Sequence, residues 1–106
     1  MRRIKRIFLL EEVKEDIEKG KRFYEMQEKG LGDYFRDNII SDIEFLFLYG
    51  GIHSKYFGLY RMLSKRFPYA IYYDIDGEDA IIVAVLHMKR EPSKLYKNLK
   101  KRYFIK

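Results

Sequence analysis

The sequence predicts an α+β fold, a helical hairpin packed on a small, mainly antiparallel β-sheet, with the elements in the order β-α-α-β-β-β-α. Two observations support this prediction. Between residues 11 and 48, apolar side chains recur at helical spacing, and a glycine-rich break divides them into two stretches. Between residues 58 and 86, the pattern changes to alternation and then to an uninterrupted apolar run, which is typical of strands.

The chain opens with a short predicted strand from Ile4 to Leu10, whose basic residues suit the edge of a sheet. The first helix is expected from Glu11 to about Lys29. Its apolar stripe consists of Val13, Ile17, Gly20, Tyr24 and Gln27. Because Gly20 weakens a helix by about 1 kcal/mol relative to alanine, we expect another side chain to pack closely against it.

A glycine-rich break, Gly30-Leu31-Gly32, ends the first helix, and Asp33 is expected to cap the second. The second helix presents an apolar stripe of Phe35, Ile39, Ile43 and Leu46. Because both helices are amphipathic and their connection is short, they should form an antiparallel hairpin on the sheet. Residues 49–55 are then expected to be a loop.

Three strands are predicted next, at Gly58 to Ser64, Phe67 to Ile75 and Ala80 to Leu86. The turn Asp76-Gly77 joins the last two, since both residue types tolerate the positive φ of a tight reversal. The last strand is apolar at every position and is therefore predicted to lie inside the sheet. A final helix, with Ser93 as its cap, is expected to direct its apolar residues inward and its basic residues outward. The inward residues are Leu95, Leu99 and Tyr103, and the outward ones are Lys94, Lys97, Lys100, Lys101 and Arg102.

Length and composition limit the class of protein. A chain of 106 residues suffices for one modest core, so residues 1–106 are predicted to form a single domain. Without cysteine, the chain has no disulfides, zinc–thiolate sites or thiol catalysis. No apolar run is long enough to span a membrane, and the apolar stretch after the basic N-terminus is too short for a signal peptide. A cytoplasmic protein without a cofactor is the simplest interpretation.

The charges are unevenly distributed along the chain. The net charge of +6 comprises +4 in residues 1–6, −5 in residues 11–50 and +7 in residues 51–106. This distribution predicts a molecule with one positive side. Such a side attracts polyanions, namely nucleic acid, an anionic membrane surface or an acidic protein segment.

The candidate functional residues lie near the ends of the predicted strands. His87 directly follows the buried strand, where an imidazole suits proton transfer or contact with a target; a structural histidine bonded to the backbone is the alternative. Arg61 could bind a phosphate group or pair with a carboxylate at the edge of the core. The remaining cations are expected to bind a target or nucleic acid as a group: Lys65, Arg66, Lys89 and Arg90. The two histidines, His53 and His87, are too far apart in the sequence to indicate a metal site.

Three segments carry a family resemblance. They are FYEMQEKGLG at residues 23–32 followed by Phe35, Tyr60-Arg61 before RFPYAIYY at residues 66–73, and VAVLH at residues 83–87 followed by Lys89, Arg90 and Pro92. In this order and spacing they resemble the RelE/ParE superfamily, the toxins of type II toxin–antitoxin modules. The resemblance covers nearly the whole chain, and the last ten residues match least.

The resemblance implies a toxin that arrests growth unless a cognate antitoxin holds it with an acidic, partly disordered arm. The amino-acid sequences of these segments are closer to those of the ParE-like branch. This similarity implies inhibition of DNA gyrase by contact. Two alternatives remain open. One is a ribosome-dependent mRNA endoribonuclease of RelE type, and the other is a non-toxic relative that only binds its antitoxin.

The endoribonuclease alternative depends on specific residues. Metal-free cleavage of RNA needs groups that transfer protons and cations that stabilise the phosphate, and the catalytic candidates here are His87 and Arg61. Endonuclease members usually carry an arginine in the strand that reads YAIY at residues 69–72 here, and a tyrosine near the C-terminal end, whereas Met88 follows His87. Both departures favour the gyrase inhibitor.

Overall fold

A five-stranded mixed sheet forms the centre of the molecule, with helices on both of its faces. The computed structural model describes residues 3–103, so Met1 and Arg2 of the predicted basic N-terminus lie outside the described residues. The elements are β1 (Arg6–Leu9), α1 (Glu11–Gln27), α2 (Leu31–Glu44), α3 (Leu46–Tyr49), β2 (Lys55–Tyr56), β3 (Leu59–Leu63), β4 (Tyr69–Asp76), β5 (Asp79–His87) and α4 (Pro92–Arg102). The predicted fold class and element order are confirmed, and the short elements α3 and β2 are additions. None of the helices described is long and apolar enough to cross a membrane.

The strands lie in the order β1-β5-β4-β3-β2, with β1 parallel to β5 and every other pairing antiparallel. β1 is an edge strand, as its basic residues predict. β5 lies between β1 and β4, and its residues from Ile82 to Leu86 are at most 3% exposed. The prediction of a buried inner strand is therefore confirmed.

β5 contains a bulge that changes the face of the sheet on which its last side chains lie. Its register with β4 shifts between Tyr72 and Tyr73, and Val83 is the extra residue. One extra residue moves every later side chain of a strand to the opposite face of the sheet. The bulge thus directs His87 to the face covered by α1 and α2, where it lies opposite Tyr69 in the ladder.

The α1–α2 face carries the larger core, which includes Val13, Ile17, Phe35, Ile39, Met62, Ile71, Tyr73, Ile82 and Val85. The ring of Phe35 is fully buried, and its centroid lies 5.1 Å from that of Tyr24, 5.0 Å from Phe67 and 4.9 Å from Tyr69. Phe67 thus belongs to this aromatic cluster rather than to β4, although the sequence places it in the strand. A Cβ atom on Gly20 would lie 2.4 Å from the Phe35 ring, which confirms the expected close contact.

The opposite face is covered in part by α4. Leu95 and Leu99 lie against Leu59, Ala70, Tyr72, Val83, Ala84 and Leu86, so the inward orientation predicted for these two leucines is confirmed. Tyr103, the residue after α4, donates its hydroxyl to the Asp74 carboxylate at 2.7 Å. That hydrogen bond is the main cause that raises the pKa of Tyr103 to about 12.

Both predicted helix caps are wrong. Gly30, with φ at +90°, is the N-cap of α2, while Asp33 lies in the first turn and pairs with Arg36. The reason is that the chain reverses between α1 and α2 through a left-handed conformation, which favours glycine. At α4 the N-cap is Glu91, and the Ser93 hydroxyl donates to its carboxylate instead of capping the helix.

A carboxylate holds the connection between α1 and α2. Glu25 accepts hydrogen bonds from the backbone N–H of Gly30 at 3.0 Å and of Gly32 at 2.9 Å. A Cβ atom on Gly32 would lie 2.6 Å from the backbone oxygen of Lys21, so the two helices can approach this closely only with glycine there. These contacts explain why Glu25, Gly30 and Gly32 occupy their positions in the segment at residues 23–32.

Replacing Glu25 by alanine is expected to lower the free energy of unfolding by about 1–2 kcal/mol, because two N–H groups at a helix start lose their acceptor. Chemical denaturation measures this change. The control is Glu28→Ala, which removes a neighbouring exposed carboxylate that accepts neither N–H. Equal effects of the two variants would show that the Glu25 hydrogen bonds contribute nothing.

Arg102 requires a further correction, because the sequence predicts that it faces outward. Its side chain is only 12% exposed and forms a two-pronged ion pair with Asp16 of α1, with N–O distances of 2.5 and 2.7 Å. The helical pattern places Arg102 with the outward lysines, but its long side chain reaches over the sheet edge. The bond to Asp16 raises the pKa of the Arg102 guanidinium, which keeps it charged.

This ion pair covers the part of β5 that β1 leaves unpaired. β1 ends at Leu9, opposite Ile82. Beyond that point the backbone N–H of Val85 donates to Asp16 at 2.9 Å, and the backbone oxygen of Val83 accepts from Arg102 at 3.2 Å. Two buried backbone groups at the bulge are thereby satisfied, and α4 is joined to α1 across the edge of the sheet.

Candidate functional site

Two loops meet at one end of the sheet, the one between β3 and β4 and the one after β5. β3 ends where β4 begins, with Leu63 paired to Ala70. The backbone N–H of Met88 donates to the backbone oxygen of Pro68 at 2.9 Å, which joins the two loops. The structure therefore brings together five of the predicted site residues, called here the basic end: Lys65, Arg66, His87, Lys89 and Arg90.

The four lysine and arginine residues of the basic end are exposed and form no ion pairs among the residues that the structure describes. Lys65 Nζ lies 4.5 Å from the ring centroid of Phe45, a contact that leaves its charge uncompensated. Four uncompensated cations in one place produce a local positive potential that attracts an anionic partner.

His87 is held in a defined orientation within the basic end. The backbone N–H of Lys89 donates to its Nδ1 atom at 3.1 Å, and its ring lies edge-on to Tyr69 with centroids 5.3 Å apart. Because Nδ1 accepts a hydrogen bond, the proton of the neutral ring is on Nε2. The imidazole can therefore donate a hydrogen bond from Nε2 to a bound group.

A cleft of about 260 Å³ lies beside His87, between α1 and the end of β5, and is called here the α1–β5 cleft. Its lining residues are Asp16, Lys19, Gly20, Phe23, Tyr69, Val85, Leu86, His87 and Arg90. Burial raises the pKa of the Tyr69 hydroxyl above its ordinary value. Sequence reasoning missed Lys19 and Tyr69 as site residues. The available signal was Gly20, whose missing side chain lets Phe35 and Tyr69 pack closely against α1 beside the cleft.

Arg61 lies apart from the basic end. It pairs with Tyr72 in the ladder and therefore lies on the α4 face, whereas His87 lies on the α1–α2 face. Its guanidinium stacks over the Tyr56 ring at 4.6 Å, and its Nε atom is buried without a hydrogen-bond partner among residues 3–103. The sheet thus separates the two residues predicted to act together in catalysis.

His53, for which the sequence offers no partner, is linked to the core. Its Nδ1 atom lies 2.5 Å from the hydroxyl of Tyr73, which also accepts the backbone N–H of Gly51 at 3.0 Å. Since the hydroxyl accepts from Gly51, it can donate its own proton to His53. Burial lowers the pKa of His53 from its ordinary value of 6.5.

The lowered pKa of His53 predicts a pH-dependent stability. Unfolded His53 takes up a proton below about pH 6.5, whereas the folded protein resists protonation. The free energy of unfolding is therefore expected to be highest above that pH and to fall as the pH drops from about 6.5 toward the lower folded pKa. Urea unfolding of the protein and of His53→Gln across this range measures the effect. If the free energy of unfolding declines equally in the native protein and in His53→Gln, other titratable groups cause the decline.

The fold and the basic end define a small α+β protein with a group of exposed cations, unpaired within residues 3–103, at one end of its sheet. The family model described as "ParE toxin of type II toxin-antitoxin system, parDE" matches residues 7–92. This chain belongs to the ParE toxin family. A solved structure titled "Chromosomal ParDE TA system from P. aeruginosa" superposes with a TM-score of 0.69 at 12% identity, covering 80% of this chain and 96% of that one, and so supports the fold. No curated protein matches the sequence.

Proposed function

We propose that this protein is a growth-arresting toxin that inhibits DNA gyrase by contact through the basic end, and that a cognate antitoxin neutralises it in the cytoplasm. Membership of the ParE toxin family is the observation that carries the proposal. The four exposed cations of the basic end support it, because they would be attracted to an acidic surface of gyrase or to the DNA that gyrase holds.

The position of His87 and Arg61 favours contact over RNA cleavage. Acid–base catalysis requires both groups within hydrogen-bond reach of one phosphodiester. Here they lie on opposite faces of the sheet, with Arg61 on β3, His87 at the end of β5 and the buried strand β4 between them. An inhibitor that works by binding needs no such convergence, only a surface complementary to its target.

A gyrase supercoiling assay with purified protein tests the proposal. The unmodified protein is expected to inhibit supercoiling. A variant with Lys65, Arg66, Lys89 and Arg90 replaced by glutamine should inhibit less strongly by a factor between about four and about a thousand, since exposed charge pairs contribute about 0.2–1 kcal/mol each. The matched control replaces Lys94, Lys97, Lys100 and Lys101 on α4, which changes the net charge equally at another surface.

Expression in cells separates the alternatives. DNA damage with intact messages is the result expected of a gyrase inhibitor, whereas rapid loss of protein synthesis with cleaved messages would establish the endoribonuclease. Undisturbed growth would establish the non-toxic relative. Inhibition that persists in the basic-end variant and disappears in the α4 variant would place the target contact on the other face of the sheet.

A further inference from the structure

A groove of about 540 Å³ lies between the start of α1 and the outer side of α4, and is called here the α4 groove. Its lining residues are Glu12, Lys94, Lys97, Asn98, Lys101 and Arg102. The helical repeat places Lys94, Lys97 and Lys101 within about 60° of one another around the axis of α4. Because each residue adds about 1.5 Å along a helix axis, these lysines form a row about 10 Å long. The row faces away from Leu95 and Leu99, which pack on the sheet.

The charges of this row are available to an anion. All three lysines are exposed, and none of them forms an ion pair within residues 3–103. Arg102, in contrast, is bonded to Asp16 and to the backbone oxygen of Val83, so it forms part of the wall. The carboxylate that lines the groove belongs to Glu12. Three lysines and one glutamate give the groove a positive potential.

The walls of the α4 groove offer charge and hydrogen bonds but no apolar side chain. All of its lining residues are charged, apart from the amide Asn98. Single-stranded nucleic acid gains affinity by stacking its bases on aromatic rings, and a peptide gains it by burying apolar anchors. Neither gain is offered by these residues. A chain of linked phosphates needs neither, because ammonium groups bind phosphate oxygens through charge-assisted hydrogen bonds.

The start of α1 limits the width of the ligand. Glu12 and Glu15 lie close enough to Arg102 to act on its guanidinium electrostatically, which places their charges beside the groove. A nucleic-acid duplex carries two charged strands and would bring phosphates against these carboxylates. A single chain of phosphates can follow the lysine row alone.

We propose that the α4 groove binds a linear chain of phosphate groups, which Lys94, Lys97 and Lys101 contact together. Inorganic polyphosphate and the phosphate chain of a nucleoside triphosphate share this chemistry. No residue of the basic end lines the groove. The site is therefore separate from the surface proposed to contact gyrase.

Isothermal titration calorimetry at physiological ionic strength tests this proposal, with tripolyphosphate as the probe. Tripolyphosphate is expected to bind at least about tenfold more tightly than orthophosphate, because linking the phosphates makes the later contacts intramolecular. Glutamine at positions 94, 97 and 101 should weaken the binding by a factor between about three and about 150, since three exposed charge pairs are lost.

The matched control replaces three other exposed lysines by glutamine, outside the groove and unpaired within residues 3–103: Lys29, Lys55 and Lys100. It changes the net charge equally. Its affinity for tripolyphosphate should stay within about a factor of two of the unmodified protein, because charges more than about 8 Å apart are largely screened at this ionic strength. All six lysines are exposed, so both variants should keep the fold.

An NMR titration locates the site and distinguishes the two sources of the phosphate chain. The backbone resonances of Lys97, Asn98 and Lys101 are expected to shift on addition of tripolyphosphate. Tighter binding of long-chain polyphosphate than of ATP would identify the inorganic chain as the ligand. The reverse order would identify a nucleotide, and both results support a site for linked phosphates.

Several outcomes would overturn the proposal. Equal binding of orthophosphate and tripolyphosphate would show that no row of contacts exists, and equal weakening in the two triple variants would reduce the effect to net charge. Shifts confined to Lys65 and Lys89 would place the phosphate site at the basic end. Tighter binding of oligothymidylate or of a blocked glutamate peptide would assign the groove to nucleic acid or protein. Gyrase is not a component of these titrations, so their outcome is independent of the supercoiling assay.

Discussion

Replacing Asp16 by alanine is expected to lower the free energy of unfolding by about 3–5 kcal/mol, because it leaves the largely buried guanidinium of Arg102 without its hydrogen-bonded carboxylate. The side chains of Asp16 and Arg102 are only 6% and 12% exposed, so water does not compensate for the loss. The backbone N–H of Val85 loses its acceptor in the same variant. Urea denaturation measures the change, and the unfolding temperature should fall with it.

Two further variants show whether the ion pair itself is responsible. Arg6→Ala breaks the exposed pair with Asp79 and should have a much smaller effect, since the Arg6 side chain is 69% exposed and solvent screens the pair. Asp16→Leu combined with Arg102→Met removes both charges and should recover part of the loss. Recovery should stay incomplete because Val83 and Val85 still lack their side-chain partners. An effect of Asp16→Ala as small as that of Arg6→Ala would show that the ion pair between Asp16 and Arg102 does not stabilise the fold.

Replacing Phe35 by alanine is also expected to cost about 3–5 kcal/mol, because it leaves a large cavity in a packed aromatic cluster. The ring is fully buried and contacts Tyr24, Phe67 and Tyr69. These neighbours extend from α1, from the β3–β4 loop and from β4, so the cavity cannot close by movement of one element. Thermal or chemical unfolding measures the loss, and Phe23→Ala, at a ring 54% exposed, is the control.

A double-mutant cycle with Gly20 tests the geometry of this cluster more closely. Alanine at position 20 gains about 1 kcal/mol of helix propensity, yet its Cβ atom would lie 2.4 Å from the Phe35 ring. In the native background the collision should outweigh the propensity, with a net cost of about 1–2 kcal/mol. In the Phe35→Ala background the same change should stabilise the protein. Destabilisation in both backgrounds would mean that something other than Phe35 requires glycine there.

The basic end could be predicted only in part from the sequence. Lys65 and Arg66 follow one predicted strand and Lys89 and Arg90 follow another, and antiparallel pairing places such loops at the same end of a sheet. Lys19 could not be assigned in this way, because it belongs to a helix whose rotation over the sheet depends on the packing of Phe35 against Gly20. The α1–β5 cleft could not be predicted either, since its lining residues come from α1, β4 and the end of β5, which are distant in the sequence.

The sequence by itself determined the element types, their order, the buried inner strand and the resemblance to the RelE/ParE superfamily, because periodicity, turn residues and motifs are local properties. Only the tertiary structure decided which face His87 occupies and where Arg102 points. Val83 adds one residue to β5 and so reverses the side of the sheet that His87 faces, away from Arg61. Arg102 turns inward because the bulge leaves backbone groups at an edge that β1 does not reach. Both outcomes depend on partners distant in the sequence, and the local pattern of residues contains no information about them.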